Sequence, residues 1–230
     1  MKKIVFLFIA LLFSVQSLAL NPYKGSYDLY AQTVMGNLKV GTAILNLEVN
    51  NNQFIYTTNA QTEAVWKALY DFTREEKSLG NEVDGQIINT YFSVIEKNKG
   101  EVKKDYEISI ATDKNYAVSS SGEEFEIKPG ILVEPLSVYL ALSNDMNNKP
   151  SEEEFIYQVV DQTGVKYLKF KSLGAENISI NDIEFETIKV VCEDLQLTLN
   201  LSINKNFQPI KIHKINGKTA FTMVLIGFET

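Results

Sequence analysis

Hydrophobic and polar residues alternate along most of the chain. In GSYDLYAQTV, Tyr27, Leu29 and Ala31 share one face and polar side chains occupy much of the other. The run KVGTAILNLEV repeats the pattern. A period of two predicts β-strands that bury one face. Turn residues such as Asp84-Gly85 and Asn98-Lys99-Gly100 separate the runs and predict antiparallel hairpins.

This pattern continues to the C-terminus and predicts about a dozen strands with short connections. No low-complexity linker or change of composition divides residues 20–230. We therefore expect a mainly β fold in a single domain, built as one curved antiparallel sheet or half-open β-barrel. Two short helices are expected to pack in or over its concave side.

The first predicted helix is EAVWKALYDF, Glu63–Phe72, with Thr62 as its N-cap. Its apolar residues at helical spacing are Val65, Trp66, Leu69 and Tyr70.

The second predicted helix lies in ILVEPLSVYLALS, Ile131–Ser143, and begins at Pro135, which suits a first helical position. From there almost no polar face remains. A helix that is apolar all round must be buried all round, so this segment predicts a plug or lid within the curved sheet.

The N-terminus has the composition of a signal peptide. Lys2 and Lys3 precede the apolar run IVFLFIALLFSV, and Ser17-Leu18-Ala19 supplies small residues for cleavage. The apolar run is shorter than the roughly 20 residues of a membrane span. We therefore expect residues 1–19 to be removed and the protein to be periplasmic or secreted, the alternative being an uncleaved N-terminal anchor.

Charge limits the classes of partner. The formal net charge is −7, and it becomes more negative when Lys2 and Lys3 are removed. An acidic surface repels phosphate backbones and anionic lipid surfaces, which argues against nucleic-acid partners. Arg74 is the only arginine. Cys192, the only cysteine, shares a predicted strand face with Ile188 and Val190, which indicates an inert buried thiol.

No catalytic motif is found. His213 is the only histidine, and no serine lies in a recognisable nucleophile-elbow setting for it to act on. The carboxylate pairs Glu75-Glu76 and Glu123-Glu124 point to opposite strand faces and are expected at solvated turns and edges. We expect no cofactor, no metal site and no enzymatic activity, although an acid pair assembled in three dimensions would escape such a search.

Short motifs resemble those of an uncharacterised family of exported bacterial proteins, domain-of-unknown-function family 3108. They are GSYDLYAQ, LKVGTAILNLEV, Ser78-Leu79-Gly80, Pro135-Leu136-Ser137 and FQPIKIHKINGKTAFTMVLIGFE. The family's helix begins D-P-L-S, whereas this chain has Glu134 before Pro135. An expected tryptophan is replaced in its region by Leu199 or Leu201. The resemblance implies an exported antiparallel β fold, similar in outline to half-barrel lipoprotein carriers, and no established activity.

Aromatic and apolar residues of the two predicted helices are the remaining candidates for a site. The predicted cavity lining is Trp66, Leu69, Tyr70, Leu136, Tyr139 and Leu140. Such residues either fill a core or line the mouth of a barrel. The first hypothesis is a non-enzymatic periplasmic protein that binds a lipid, an acyl chain or another hydrophobic envelope component. The alternative is an envelope interaction or assembly factor whose barrel is fully packed.

Overall fold

The computed structural model describes residues 20–33, 36–68, 70–217 and 219–230. The predicted signal peptide and Leu69 lie outside these ranges. The strands are β1 (Tyr23–Thr33), β2 (Gly36–Asn50), β3 (Gln53–Thr62), β4 (Phe72–Val83), β5 (Gln86–Asn98), β6 (Glu101–Ala111), β7 (Tyr116–Ser119), β8 (Glu124–Glu126), β9 (Leu132–Val133), β10 (Glu154–Asp161), β11 (Gly164–Ile180), β12 (Ile183–Cys192), β13 (Leu197–Ser202), β14 (Gln208–Asn216) and β15 (Thr219–Glu229). The helix α1 spans Ser137–Asn148, and 3-10 turns occupy Thr112–Lys114 and Ile203–Lys205.

All fifteen strands of the described residues belong to one sheet. Its order is β8-β7-β6-β5-β4-β3-β2-β1-β15-β14-β13-β12-β11-β10-β9, so the first and last strands pair in its middle. Every neighbouring pair is antiparallel except β9 and β10. The sheet curves into a half-open barrel, which confirms the predicted fold class.

The strand register aligns the inward-facing residues of neighbouring strands, which together form a buried inner wall. Tyr56 pairs with Ser78, Ser78 with Phe92, and Phe92 with Ile108. All four side chains are buried, because directly paired residues point to the same side of a sheet. The buried apolar residues of both halves of the sheet form one core cluster.

The predicted helix at Glu63–Phe72 is wrong. Residues 64–68 form turns between β3 and β4, and β4 already begins at Phe72. Trp66 N–H donates to the Glu63 carbonyl and Lys67 N–H to the Ala64 carbonyl, so the backbone closes short turns. Val65 is 72% exposed, so the predicted apolar stripe is not buried along its length. A helix so short gains too little from its own hydrogen bonds to persist without packing.

The second predicted helix is present as α1, with shifted bounds. Leu132 and Val133 belong to β9, beside β10, rather than to a helix. The α1 residues 137–146 are buried except Tyr139, which is half-buried, as expected for a helix enclosed by a curved sheet. Among the described residues, no helix combines the length and hydropathy that a membrane span requires.

The C-terminal half of α1 lies across one end of the barrel, which we call the helix mouth. Ser143 Oγ donates to the Phe207 carbonyl at 2.7 Å, and Asn144 Nδ2 donates to the Gly85 carbonyl at 2.8 Å. Asn147 Nδ2 donates to the Asn206 carbonyl at 3.2 Å. These carbonyls belong to the β4–β5 and β13–β14 connections. The polar residues of α1 therefore fasten it across this end.

Candidate functional site

A buried polar cluster, which we call the helix latch, joins the start of α1 to the sheet. It consists of Ser78 on β4, Asn89 on β5, and Glu134 and Ser137 around the start of α1, all fully enclosed. Asn89 Nδ2 lies 2.7 Å from Glu134 Oε1, 2.7 Å from Ser137 Oγ and 3.0 Å from Ser78 Oγ. The segments around Ser78 and around Pro135 thus meet at one side chain, Asn89.

Glu134 also caps the helix. Its carboxylate accepts the Leu136 N–H at 2.8 Å and the Ser137 N–H at 3.2 Å, while Ser137 Oγ accepts the Glu134 N–H at 3.3 Å. This reciprocal arrangement satisfies backbone donors that a helix start leaves free. Burial raises the pKa of the Glu134 carboxyl to about 7, although the Ser137 and Ser78 hydroxyls and the two backbone donors oppose the shift. The Glu134 side chain therefore caps the start of α1.

The opposite end of the barrel, which we call the charged mouth, has ionic side chains on its inner wall. Arg74 pairs with Ala60 and Glu76 with Thr58, in the same inward register as Tyr56 and Ser78. Arg74 binds Glu96 of β5 and lies 2.5 Å from Glu76 Oε1. The side chains of Arg74, Glu76 and Glu96 are 23%, 11% and 19% exposed, respectively. Because they face inward and still contact solvent, water reaches the inner wall at this end.

Two lysines add positive charge to the same inner wall. In the strand register, Lys104 on β6 lies opposite Glu96, and Lys214 on β14 lies opposite the buried Leu197. Neither lysine forms an ion pair with any residue that the structure describes. The Lys214 side chain is exposed, but the hydration that it loses, with Arg74 and Lys104 nearby, lowers its pKa below the ordinary value. The lysines of the charged mouth are thus in mutual repulsion.

Aromatic side chains frame the charged mouth. Tyr70 stacks on Phe72 with ring centroids 5.9 Å apart and remains 40% exposed at the rim. Burial raises the pKa of Tyr70, and nearby Glu96 adds to the shift. Deeper inside, burial raises the pKa of Tyr139 on α1, with Glu76 adding to the shift and Arg74 opposing it. Tyr70 and Tyr139 thus approach one ionic cluster from the rim and from the floor.

The remaining predicted site residues occupy different places. Leu136 and Leu140 are each 2% exposed and lie in the apolar core below Tyr139. Trp66 is half-buried in the β3–β4 turns, where its Nε1–H donates to the Lys39 carbonyl at 2.7 Å. Leu69 lies outside the described residues. The structure therefore brings Tyr70 and Tyr139 close to one cluster and places Leu136 and Leu140 behind it.

Sequence reasoning missed the ionic cluster. The alternation of FTREEKSLG already puts Arg74 and Glu76 on the face of Ser78, and this was the available signal. The expectation that the Glu75-Glu76 pair is solvated is wrong for Glu76, which is held inside by Arg74, and right for Glu75, which is exposed outside. Which carboxylate faced inward depended on strand register, which composition does not reveal.

A second concave region lies on the outer face of the sheet. This outer cleft has a volume of about 680 Å³, and its lining includes Tyr30, Asn37, Glu176, Asn200, Lys211 and His213. His213 Nδ1 lies 2.9 Å from Thr222 Oγ1, and Asn200 Nδ2 contacts Glu176 Oε1 at 2.5 Å. Within the outer cleft, His213 is thus paired with Thr222, and Asn200 with Glu176. Cys192 is buried on the inner wall, as its strand face predicted.

Comparison with known proteins bears on the fold. No protein-family model matches the chain, and no curated protein matches its sequence. A crystal structure of a β-barrel-like protein of domain of unknown function DUF1849 from Brucella abortus is similar, with a TM-score of 0.59. The match covers 90% of this chain and 97% of that chain at 9% identity.

That similarity shows the fold. It supports a β-barrel-like protein related in shape to a family of unknown function, and it does not confirm the predicted resemblance to family 3108.

Proposed function

We propose that the protein is an exported, non-enzymatic binding protein of the cell envelope. Its ligand is a lipid, an acyl chain or another hydrophobic envelope component, held at the charged mouth of the barrel. The observation that carries this proposal is that inward side chains remain accessible at this end, whereas α1 is hydrogen-bonded across the other.

The surroundings of the charged mouth suit an amphipathic ligand. The rings of Tyr70 and Phe72 offer apolar surface at the rim, and Tyr139 presents a half-buried ring on the floor. Aromatic rings bury large areas of ligand at small conformational cost. The mouths of β-barrels are also frequent sites for small molecules. Leu136 and Leu140 extend the apolar surface below the floor, where an acyl chain would reach them only if α1 shifted.

Purification with mass spectrometry tests the proposal. We expect protein exported in a bacterial host to release a co-purified lipid on organic extraction. We also expect it to bind a fluorescent fatty acid, and Tyr70→Ser to weaken that binding because stacked surface is lost. Val65→Ser is the matched control, since Val65 occupies the same turns and is exposed. Absence of both extracted lipid and fatty-acid binding would overturn the proposal.

A second candidate is the envelope interaction or assembly factor. The tight enclosure of Leu136, Leu140 and Leu142 in the core favours it, because little space is left around α1. Cross-linking in the envelope that captures one dominant protein partner, with no lipid on extraction, would support this candidate over the first.

A further inference from the structure

The inner wall of the charged mouth has more positive than negative charge. Both carboxylates, Glu76 and Glu96, are engaged by Arg74, which leaves Lys104 and Lys214 without anionic partners among the described residues. Asp161, which also faces this region, is occupied by Lys166 at 3.1 Å. Two cations on an inner wall are therefore unpaired in a chain whose net charge is −7.

Like charges held close together repel one another unless an opposite charge compensates them. Lys104 is half-buried at the charged mouth, and Lys214 is exposed there. The register places Lys104 beside Glu96, yet Glu96 is committed to Arg74. Lys214 lies on the other half of the sheet. Its pKa is lowered by lost hydration and by the positive charges of Arg74 and Lys104. An anion placed among them would relieve this repulsion, because an opposite charge stabilises the protonated form of a lysine.

We propose that the charged mouth binds the anionic head of an amphiphile, a carboxylate or a phosphate, between Lys104 and Lys214. This inference rests on the proposed function, since it assigns the chemical class of the ligand bound there. The apolar part of the ligand lies against Tyr70, Phe72 and Tyr139, and the head accepts hydrogen bonds from the lysine ammonium groups. Lysine presents a compact charge with rotatable donors, so it accommodates either head geometry.

Four decyl compounds with different heads test the inference by calorimetric titration below their micelle concentrations. We expect decanoate or decyl phosphate to bind, and decanol and decylamine to bind at least roughly tenfold more weakly, because each charge-assisted hydrogen bond contributes strongly. The order of decanoate and decyl phosphate distinguishes a carboxylate from a phosphate head. The affinity for the anion should also fall as salt concentration rises.

Charge-matched variants place the site. Lys104→Gln and Lys214→Gln should each weaken binding of the preferred anion by roughly tenfold or more. Lys211→Gln should leave binding unchanged, because Lys211 lies on the same strand as Lys214 but lines the outer cleft. Lys103→Gln is the corresponding control for Lys104, since Lys103 is exposed and paired with Glu101.

The outcomes separate this inference from the proposed function. Equal binding of all four decyl compounds, unaffected by the lysine variants, would overturn the anionic head and leave the hydrophobic ligand standing. Preferential binding of decylamine, or loss of binding only in Lys211→Gln, would likewise overturn the anion site. Binding of none of the four, together with absence of extracted lipid, would overturn both.

Discussion

Glu134 connects the start of α1 to the sheet through hydrogen bonds. It caps α1, contacts Asn89 on the sheet and has no exposure to solvent. A carboxyl in such a site is either ionised with every donor satisfied or protonated to avoid desolvation. Its raised pKa shows that desolvation outweighs the donors. The latch should therefore respond to pH in the range in which this carboxyl titrates.

We predict that the native protein loses stability between about pH 4.5 and about pH 7. The carboxyl has a pKa of about 7 when folded and its ordinary value of 4.5 when unfolded, so the folded state binds the proton more tightly. The contribution is complete below the lower value and is lost as pH rises through the higher one. Its size is on the order of 3 kcal/mol.

Urea unfolding of the native protein and of Glu134→Gln, at a series of pH values, measures this contribution. Glutamine stays neutral and still offers an acceptor to Leu136 N–H. The difference in unfolding free energy between the two proteins should change with pH in the stated direction. All other titrating groups are shared, so a difference that does not vary with pH would contradict a protonated Glu134.

Among the strands and helices, those whose sequence pattern is sufficient by itself are predicted correctly, and those that need tertiary packing are not. Most strands follow from alternation alone, because one buried face imposes a period of two. The lack of a polar face predicts the helix α1. The same lack of polar residues occurs at Leu132 and Val133, which form strand β9, because apolar composition alone does not separate a buried helix from a buried strand. The segment around Val65 has helical spacing, but Val65 is exposed, and the contact of Trp66 with the sheet is too little packing to hold a helix this short.

The site was less predictable than the fold for a related reason. Tyr70 and Tyr139 were candidates because aromatic rings stand out in a sequence. Lys104 and Lys214 resemble any surface lysine, and only the pairing of Lys104 with Glu96 and of Lys214 with Leu197 shows that they point inward. The latch required Asn89 on β5 to meet Glu134, across 45 positions of sequence. No local pattern encodes such a contact.

The β4 strand carries a further prediction at Gly80. A Cβ built there would lie 2.6 Å from ring atoms of Phe54 and 2.4 Å from the Ile88 carbonyl oxygen. Phe54 is buried in the core, so neither neighbour has free space into which it can move. We expect Gly80→Ala to destabilise the protein by about 1–3 kcal/mol through overpacking.

Gly227→Ala is the matched control, because its added Cβ would meet only Ser26 atoms at 3.6 Å or more. Thermal unfolding of the two variants should show a clear drop in melting temperature for Gly80→Ala alone. Equal melting temperatures would mean that the ring of Phe54 is not packed against Gly80 as the structure places it.

For the whole molecule, a continuous sheet around one core cluster predicts a single unfolding transition. The fluorescence of Trp66, the only tryptophan, reports on the β3–β4 turns, and far-UV circular dichroism reports on all strands. We expect the two signals to share one urea midpoint, in the native protein and in Gly80→Ala alike. Separate midpoints would indicate that β1–β8 and β9–β15 unfold independently.

The pairing of β1 with β15 has a consequence for how the chain assembles. Each half of the sheet is a run of neighbouring strands, so its hairpins can form in order as the chain emerges. The two runs join only when the final strand arrives beside the first, across almost the whole sequence. Closing so long a loop is slow, and until then β1 presents an unpaired edge. The final strand therefore joins the two halves of the sheet. A chain lacking it would leave β1 and β14 as unpaired edges that can pair with other chains.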